Sequence, residues 1–233
     1  MPPALYSHGA AIAFLHTSAL HIATFNALGA EIAPELKLAH TVREDLLVAA
    51  EKAGGVTSSI ELKAGEALLA LAEGGAQVVV CTCSTLGPVA ESVADDADIP
   101  IMRIDRPMAD EAVRQGTRIG VCGALAPAME TTTCLVEDSA RRAGRACRVA
   151  PVHFEDAWAR FRDGRLDAYH AEIAEGLKRA AEDSDVLVLA QASMAPAARE
   201  AGDLGIPVLS SPRSGFEAAA RIAGRFSRVK RFG

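Results

Sequence analysis

Along the chain, short β-branched and apolar runs alternate with longer stretches in which Ala, Glu and Arg recur at helical spacing. The runs predict strands at Ala11–Thr17, Leu36–Val42, Gln77–Cys83, Ile101–Asp105, Arg118–Gly123, Arg148–Phe154, Asp185–Gln191 and Val208–Ser211. The stretches between them predict helices near 19–30, 57–73, 86–96, 108–115, 128–143, 168–182, 194–202 and 215–226. Val78–Val80 and Val186–Leu189 are apolar without a break, as strands buried on both faces are. Strand–helix alternation of this kind implies parallel sheets covered by helices. No low-complexity segment or long linker interrupts it.

The pattern repeats. Val78-Val79-Val80-Cys81-Thr82-Cys83-Ser84-Thr85-Leu86-Gly87-Pro88 overlays Val186-Leu187-Val188-Leu189-Ala190-Gln191-Ala192-Ser193-Met194-Ala195-Pro196, 108 residues on. Both segments read as strand, small polar turn, then Pro in the first turn of a helix, where its missing N–H is not needed. Ile99-Pro100 and Ile206-Pro207 each precede a short apolar strand, and Ala11-Ile12-Ala13-Phe14 overlays Arg118-Ile119-Gly120-Val121, both at an offset of 107. So long a period excludes a solenoid and implies duplication of a half-size α/β unit. Two such halves are expected to enclose a cleft beyond the C-terminal ends of their strands, where open α/β sheets bind ligands. The turns Cys83–Thr85 and Gln191–Ser193 would then face one another across it. Each opens a helix, which suits it to a carboxylate.

Composition narrows the class. The chain has 233 residues, enough for one large or two small domains with a sizeable core. The formal charge is −6, which gives no electrostatic reason to bind DNA or an anionic membrane. Half the residues are hydrophobic but only seven Phe, two Tyr and one Trp are aromatic, which favours close helix packing over an all-β sandwich. No apolar run approaches the roughly 18–20 residues of a membrane span. The start, MPPALYSHGAAIAFLH, lacks Lys, Arg and a cleavage site, so it reads as a first strand and not as a signal peptide. Five unevenly spaced Cys argue against a disulfide framework and for a reducing, cytoplasmic compartment.

Cys83 is the leading chemical candidate. A helix N-terminus lowers a thiol's pKa, and a thiolate at the strand-to-helix junction can take a proton from carbon or return one. The commoner role of a buried Cys is to pack as a small hydrophobe. Cys81 shares its strand face. This Cys-x-Cys pair lacks a second Cys/His cluster, so no metal is expected. Cys122, Cys134 and Cys147 are expected only to pack. Ser84, Thr85 and Ser193 stand where capping hydroxyls stand, and capping is compatible with contact to a substrate carboxylate. Gln191 mirrors Cys83 but cannot act as an acid or base near neutral pH. It can orient a carboxylate or water. His16, Thr17 and Ser18 close the first strand, and His16 is either a base or a satisfied structural histidine. His40, Thr41, Arg43, Glu44 and Asp45 follow the second strand, and Arg43 has the chemistry to clamp a carboxylate. Arg213 and Ser214 follow the last strand. The run Arg225, Arg228, Lys230, Arg231 reads as a solvated helix end that complements the dipole. No G-x-G-x-x-G follows a strand, and no phosphate loop or G-x-S-x-G elbow occurs.

Thr82-Cys83-Ser84-Thr85 and Ala190-Gln191-Ala192-Ser193-Met194-Ala195, with Leu15-His16-Thr17, Arg118-Ile119-Gly120-Val121 and Pro207–Arg213, resemble the aspartate/glutamate/hydantoin racemase superfamily, which includes maleate isomerase and arylmalonate decarboxylase. The resemblance spans essentially the whole chain. It implies two pseudo-symmetric, doubly wound α/β domains with the active site between them, here 1–106 plus 211–233 and 107–210. It implies that the C-terminal helix packs back on the first domain. In the racemases two cysteines flank the α-carbon without cofactor or metal. Cys83 matches the first, and Gln191 replaces the second. Ala192 and Ser193, like Ser84 and Thr85, would offer N–H or hydroxyl groups to a substrate carboxylate, and Thr17 and Ser18 would orient it.

Three readings stay open: a one-cysteine isomerase, decarboxylase or lyase on a small carboxylic or amino acid; a racemase whose second base is another group such as His16; and a carboxylate-binding protein without turnover. An activated Cys83 thiol favours the enzymes, and a normal thiol pKa with measurable ligand binding favours the binding protein. No nucleic-acid or membrane partner is expected, and a closed dimer is the default for soluble enzymes.

Overall fold

The strands whose sequence is apolar throughout occupy the sheet centres. The computed structural model describes residues 9–232, with side chains up to residue 225. In chain order the elements are β1 (Ile12–His16), α1 (Leu20–Ile32), β2 (Leu38–Val42), α2 (Glu44–Ala53), α3 (Ser58–Glu73), β3 (Val78–Cys81), α4 (Gly87–Ser92), β4 (Ile101–Arg103), α5 (Arg106–Gln115), β5 (Arg118–Gly123), α6 (Ala126–Arg142), β6 (Arg148–His153), α7 (Ala157–Arg162), α8 (Leu166–Ala181), β7 (Val186–Leu189), α9 (Ala195–Ala201), β8 (Val208–Ser210) and α10 (Ser211–Phe232). Short 3-10 turns, Ser84–Leu86 and Ala192–Met194, lead into α4 and α9.

All eight expected strands form, in two four-stranded parallel sheets ordered β2-β1-β3-β4 and β6-β5-β7-β8. The register repeats with the sequence. Ile12 pairs with Val78 and Val79 with Ile101 in the first sheet. Ile119 pairs with Val186 and Leu187 with Val208 in the second. The offsets of 107 and 108 are thus the spacing of equivalent rungs.

Each sheet is covered on both faces. In the first, Ala13, Leu15, Val79 and Cys81 pack against Leu46 and Ala50 of α2, Leu68 and Leu71 of α3, and Val89 of α4. Ile12, Phe14, Val78 and Val80 pack against Phe25 of α1 and Phe216, Ala219 and Ala223 of α10. In the second, Cys122, Leu187 and Leu189 meet Tyr169, Ile173 and Leu177 of α8 and Ala197 of α9. Ile119, Val121, Val186 and Val188 meet Met108, Ala112 and Val113 of α5 and Leu135 and Val136 of α6.

The chain divides into two compact units, one of residues up to Ile104 with those from Pro212 onward, the other Asp105–Ser211. The helix after the last strand of each half therefore joins the other unit: α5 follows β4 but covers the second sheet, and α10 follows β8 but covers the first. Gly215 lets α10 lie directly against the Ile104 carbonyl, where a Cβ would not fit. The side chains of Arg228, Lys230 and Arg231 lie outside the described residues.

Two helices are absent from the sequence reading. In α2, Glu44 and Asp45 occupy the first turn, Lys52 the last, and Gly54 closes the helix with φ +73°. These are a start and a stop signal at the right ends, but the charged run Arg43–Asp45 reads first as exposed chemistry. The short α7 has six residues and too few turns to show a period.

One difference between the halves has a direct physical origin. Arg103 ends β4 and is buried, paired with Glu91 at 3.2 Å. Its guanidinium lies over Gly87, so a Cβ there would fall 2.5 Å from Cζ. In the second unit Ser210 stands where Arg103 does, and the equivalent of Gly87 is Ala195. Gly87→Ala is therefore expected to destabilise the protein by about 1–3 kcal/mol through overpacking, despite the gain in helix propensity. Urea unfolding of Gly87→Ala and of the double variant Gly87→Ala/Arg103→Ser checks this, since the second change should recover part of the loss.

Candidate functional site

The parallel ladder of the first sheet brings the ends of β1 and β3 side by side, with Leu15 opposite Cys81. Thr82 and Cys83 follow β3 directly, and Thr17 and Ser18 follow β1. Cys83 is extended at φ −94°, ψ 116°, and its carbonyl accepts the Leu86 N–H at 3.1 Å, closing the 3-10 turn. The Cys83 side chain is 8% exposed. Burial is the largest influence on the thiol and pushes its pKa up. The Thr17 hydroxyl and the N–H groups of Leu86 and Thr85 act in the opposite direction. Thr85 is buried, and its hydroxyl has no hydrogen-bond partner among the described residues. The Cys83 sulfur rests as a thiol.

That result corrects the expectation of a thiol lowered by a helix. The turn after β3 is a single 3-10 turn, and α4 has only six residues. Desolvation of the charged form outweighs the local donors. Cys81 is also buried and points its Sγ at the Cys83 carbonyl, 3.6 Å away. Cys122 is driven up to about 12 by burial, which fits a packing role. Cys147 is partly buried, and Cys134 is exposed on α6 and does not pack as expected.

His16 is fully buried at the end of β1. Its Nδ1 shares a hydrogen bond with Thr82 Oγ1 at 2.8 Å, and its Nε2 one with His40 Nδ1 at 2.9 Å. Burial, followed by the neighbouring His21 and His40, lowers its pKa to about 3. The ring is neutral at physiological pH and both nitrogens are occupied, so it neither serves as a free base nor offers a nitrogen to a ligand. Phe14 and His40 stack with it at ring-centroid distances of 5.5 and 5.2 Å. Ser18 Oγ accepts the Leu20 N–H at 3.4 Å, the capping role.

Arg43 is held by Asp45 through Nε and Nη2, at 2.8 and 2.7 Å. Arg213 is held by both Glu31 oxygens at 2.7 Å. Arg43, which has the chemistry to clamp a carboxylate, is thus already on one, and so is Arg213. His40, Asn26 and His21 belong to the polar cluster around His16, and no motif in the sequence points to Asn26.

In the second unit the mirrored turn carries Gln191, 9% exposed. Its Oε1 accepts the N–H groups of Ala124 and Leu125 at 2.8 and 2.9 Å, at the start of α6. Its amide oxygen thereby takes up the two N–H groups just ahead of that helix. Ser193 Oγ shares a hydrogen bond with the buried Tyr169 hydroxyl at 2.9 Å, and its carbonyl one with His170 Nε2 at 3.0 Å. Ala192 and Ser193 lie in the 3-10 turn and are half-buried. Among the described residues, no three His, Cys, Asp or Glu side chains are grouped to hold a metal ion. No described helix is long and apolar enough to cross a membrane.

Two equivalent α/β units, one with a buried thiol and the other with an amide at the same turn, define a duplicated α/β architecture with a cysteine-based candidate site. Residues 39–226 match the Asp/Glu/Hydantoin racemase family, and the chain belongs to that family. Solved structures share the fold. Glutamate racemase from Francisella tularensis subsp. tularensis SCHU S4, in complex with D-glutamate, is 13% identical, with 94% of this chain and 82% of that chain covered and a TM-score of 0.71. An aspartate racemase homologue from Pyrococcus horikoshii OT3 is 15% identical, with coverage of 91% and 98% and a TM-score of 0.65. Arylmalonate decarboxylase is 18% identical, with coverage of 91% and 92% and a TM-score of 0.56. At these identities the likeness is one of fold. No curated protein matches the chain.

Proposed function

We propose that this member of the racemase family is a cofactor-independent enzyme of the isomerase type. In this reading it moves a proton at the carbon next to a carboxylate in a small amino acid or related acid, with Cys83 as the acid/base. The observation that carries the reading is the placement of Cys83 in the turn after β3, beside the Thr17 end of β1 and at the position that Gln191 takes in the second unit. The Thr17 hydroxyl and the Thr85 N–H are proposed to stabilise a thiolate formed during turnover, while burial keeps the resting group protonated. Ser84 and Thr85 on one turn, and Gln191, Ala192 and Ser193 on the other, are proposed to hold the substrate carboxylate or a developing enolate. Thr17 and Ser18 are proposed to orient the substrate.

A second reading is a one-cysteine decarboxylase, as arylmalonate decarboxylase is, although there the cysteine sits at the slot that Gln191 fills here. It draws on one observation: Cys83 rests as an acid that can give a proton. In that reaction the bond from the α-carbon to a carboxylate breaks, the carboxylate carbon leaves as carbon dioxide, and the electron pair left on the α-carbon takes the Cys83 proton. The thiolate then recovers a proton from water.

The test is α-proton exchange in D₂O, followed by NMR, over amino acids, hydantoins and small diacids. Exchange with retention supports one-base chemistry at Cys83, and exchange with inversion means a second base acts. Loss of carbon dioxide from a diacid selects the decarboxylase. A panel in which nothing exchanges and nothing is consumed, but carboxylates bind, would replace the enzyme reading with a carboxylate-binding protein.

A further inference from the structure

His16 and Thr82 face one another one residue before Thr17 and Cys83 do. Side chains alternate along a strand, so the two pairs lie on opposite faces of the sheet. His16 stacks with Phe14 and Phe25 on the face covered by α1 and α10. Cys81, Cys83 and Leu15 belong to the core on the other face. The His16–Thr82 bond at 2.8 Å therefore ties the ends of β1 and β3 from beneath, at the point where Thr17 meets the sulfur above.

The tie does not end at His16. Thr82 Oγ1 donates to the Leu15 carbonyl at 3.1 Å. His16 Nε2 meets His40 Nδ1 at 2.9 Å, and His40 Nε2 meets Asn26 Oδ1 of α1 at 3.0 Å. These four contacts need four hydrogens. Two neutral imidazoles and one hydroxyl bring three. If Asn26 presents its oxygen, one contact stays empty or the pair carries a buried positive charge. If Asn26 presents its NH2 group, every contact is filled without charge. Which end of an amide faces a partner is decided by such a count. Asn26 is exposed, so its oxygen turns to water at no loss. Burial of His16 and His40 also favours the uncharged form.

We propose that Asn26, His40 and His16 are positioning residues, forming an uncharged hydrogen-bond chain from the Asn26 amide to the Leu15 carbonyl that holds the Thr17 hydroxyl against the Cys83 sulfur. The order of protons is Asn26 Nδ2–H to His40 Nε2, His40 Nδ1–H to His16 Nε2, His16 Nδ1–H to Thr82 Oγ1, and Thr82 Oγ1–H to Leu15 O. This rests on the proposed reading only in taking the Cys83 turn as the reacting part, and its test uses no substrate.

Long-range proton–nitrogen NMR of the histidine rings at pH 7.5 should show both His16 and His40 as the Nδ1–H tautomer, the less common one for free imidazole. An Nε2–H tautomer at either ring overturns the chain. Iodoacetamide alkylation, read at Cys83 by peptide mass spectrometry, tests the positioning. Asn26→Leu and Thr17→Val should each slow it several-fold at fixed pH, because a thiol that loses a donor ionises less. The double variant should be no slower than Thr17→Val alone. Unchanged or faster alkylation in Asn26→Leu, or additive slowing in the double variant, overturns the positioning role. A Cys83 that proves idle toward every substrate leaves both readouts intact.

Discussion

Alanine at position 83 is expected to lower α-proton exchange by roughly 10²–10⁴-fold, the range that a positioned acid/base supplies. The fold should survive, since Cys83 lies beside Leu86 and Val89 in a core that loses only one sulfur. Large-to-small changes of that size cost about 1 kcal/mol. Cys83→Ser gives the sharper contrast. Serine keeps the volume but holds its proton far more tightly than a thiol, so exchange should stay near the alanine level. Wild-type exchange in Cys83→Ala, with unchanged circular dichroism, would remove Cys83 from the chemistry. Thr17→Val should fall between, because it takes away one donor to the thiolate while the thiol remains.

Acidification is expected to unfold the first unit before its carboxylates are fully titrated. His16 is lowered to about 3 and His21 to about 4, both chiefly by burial, and His40 is lowered as well. In the unfolded chain these rings titrate near the ordinary histidine value of about 6.5. Between the folded and unfolded values the unfolded chain binds more protons, so stability rises with pH across that window. The contribution is complete above about pH 6.5 and is lost as pH falls toward 4 and then 3. By linkage it amounts to a few kcal/mol, roughly 1.4 per tenfold change in proton affinity.

Urea unfolding at pH 7.5, 6.0 and 5.0 checks this: the midpoint should drop steadily over those three values. A flat profile would mean that the three imidazoles are solvated and not packed around Phe14 and Phe25. His21 gives an internal control. Its Nδ1 is buried and has no hydrogen-bond partner among the described residues. His21→Leu should therefore be neutral or stabilising at pH 7.5 and should flatten the acid slope, because removing an unsatisfied polar atom costs little.

Much of the site's placement was legible because the repeat is local. The apolar runs set β1, β3, β5 and β7, and the matching turns put Cys83 and Gln191 at equivalent positions, with Pro88 and Pro196 opening the helices after them. Helix α2 is not legible although Gly54 and its acidic first turn mark its ends, because a charged pair at a strand end reads equally well as surface chemistry. The state of Cys83 is the reverse of what its turn suggests. A sequence shows the turn that supplies N–H donors but not how much water the fold removes, and here water removal is the larger effect.

By itself the sequence determined which segments are strands, that they fall into two equivalent halves, the register offset between those halves, and which turn holds a thiol and which an amide. These follow from side-chain periodicity and turn chemistry, which act over a few residues. The tertiary structure alone decided the rest. It exchanged α5 and α10 between the units, because an apolar helix face packs wherever an uncovered sheet lies. It joined His16 to Thr82 across 66 residues and to His40 across 24, and Gln191 to Ala124 across 67. Hydrogen-bond partners, protonation states and desolvation are properties of neighbours in space. Only the folded chain brings those neighbours together.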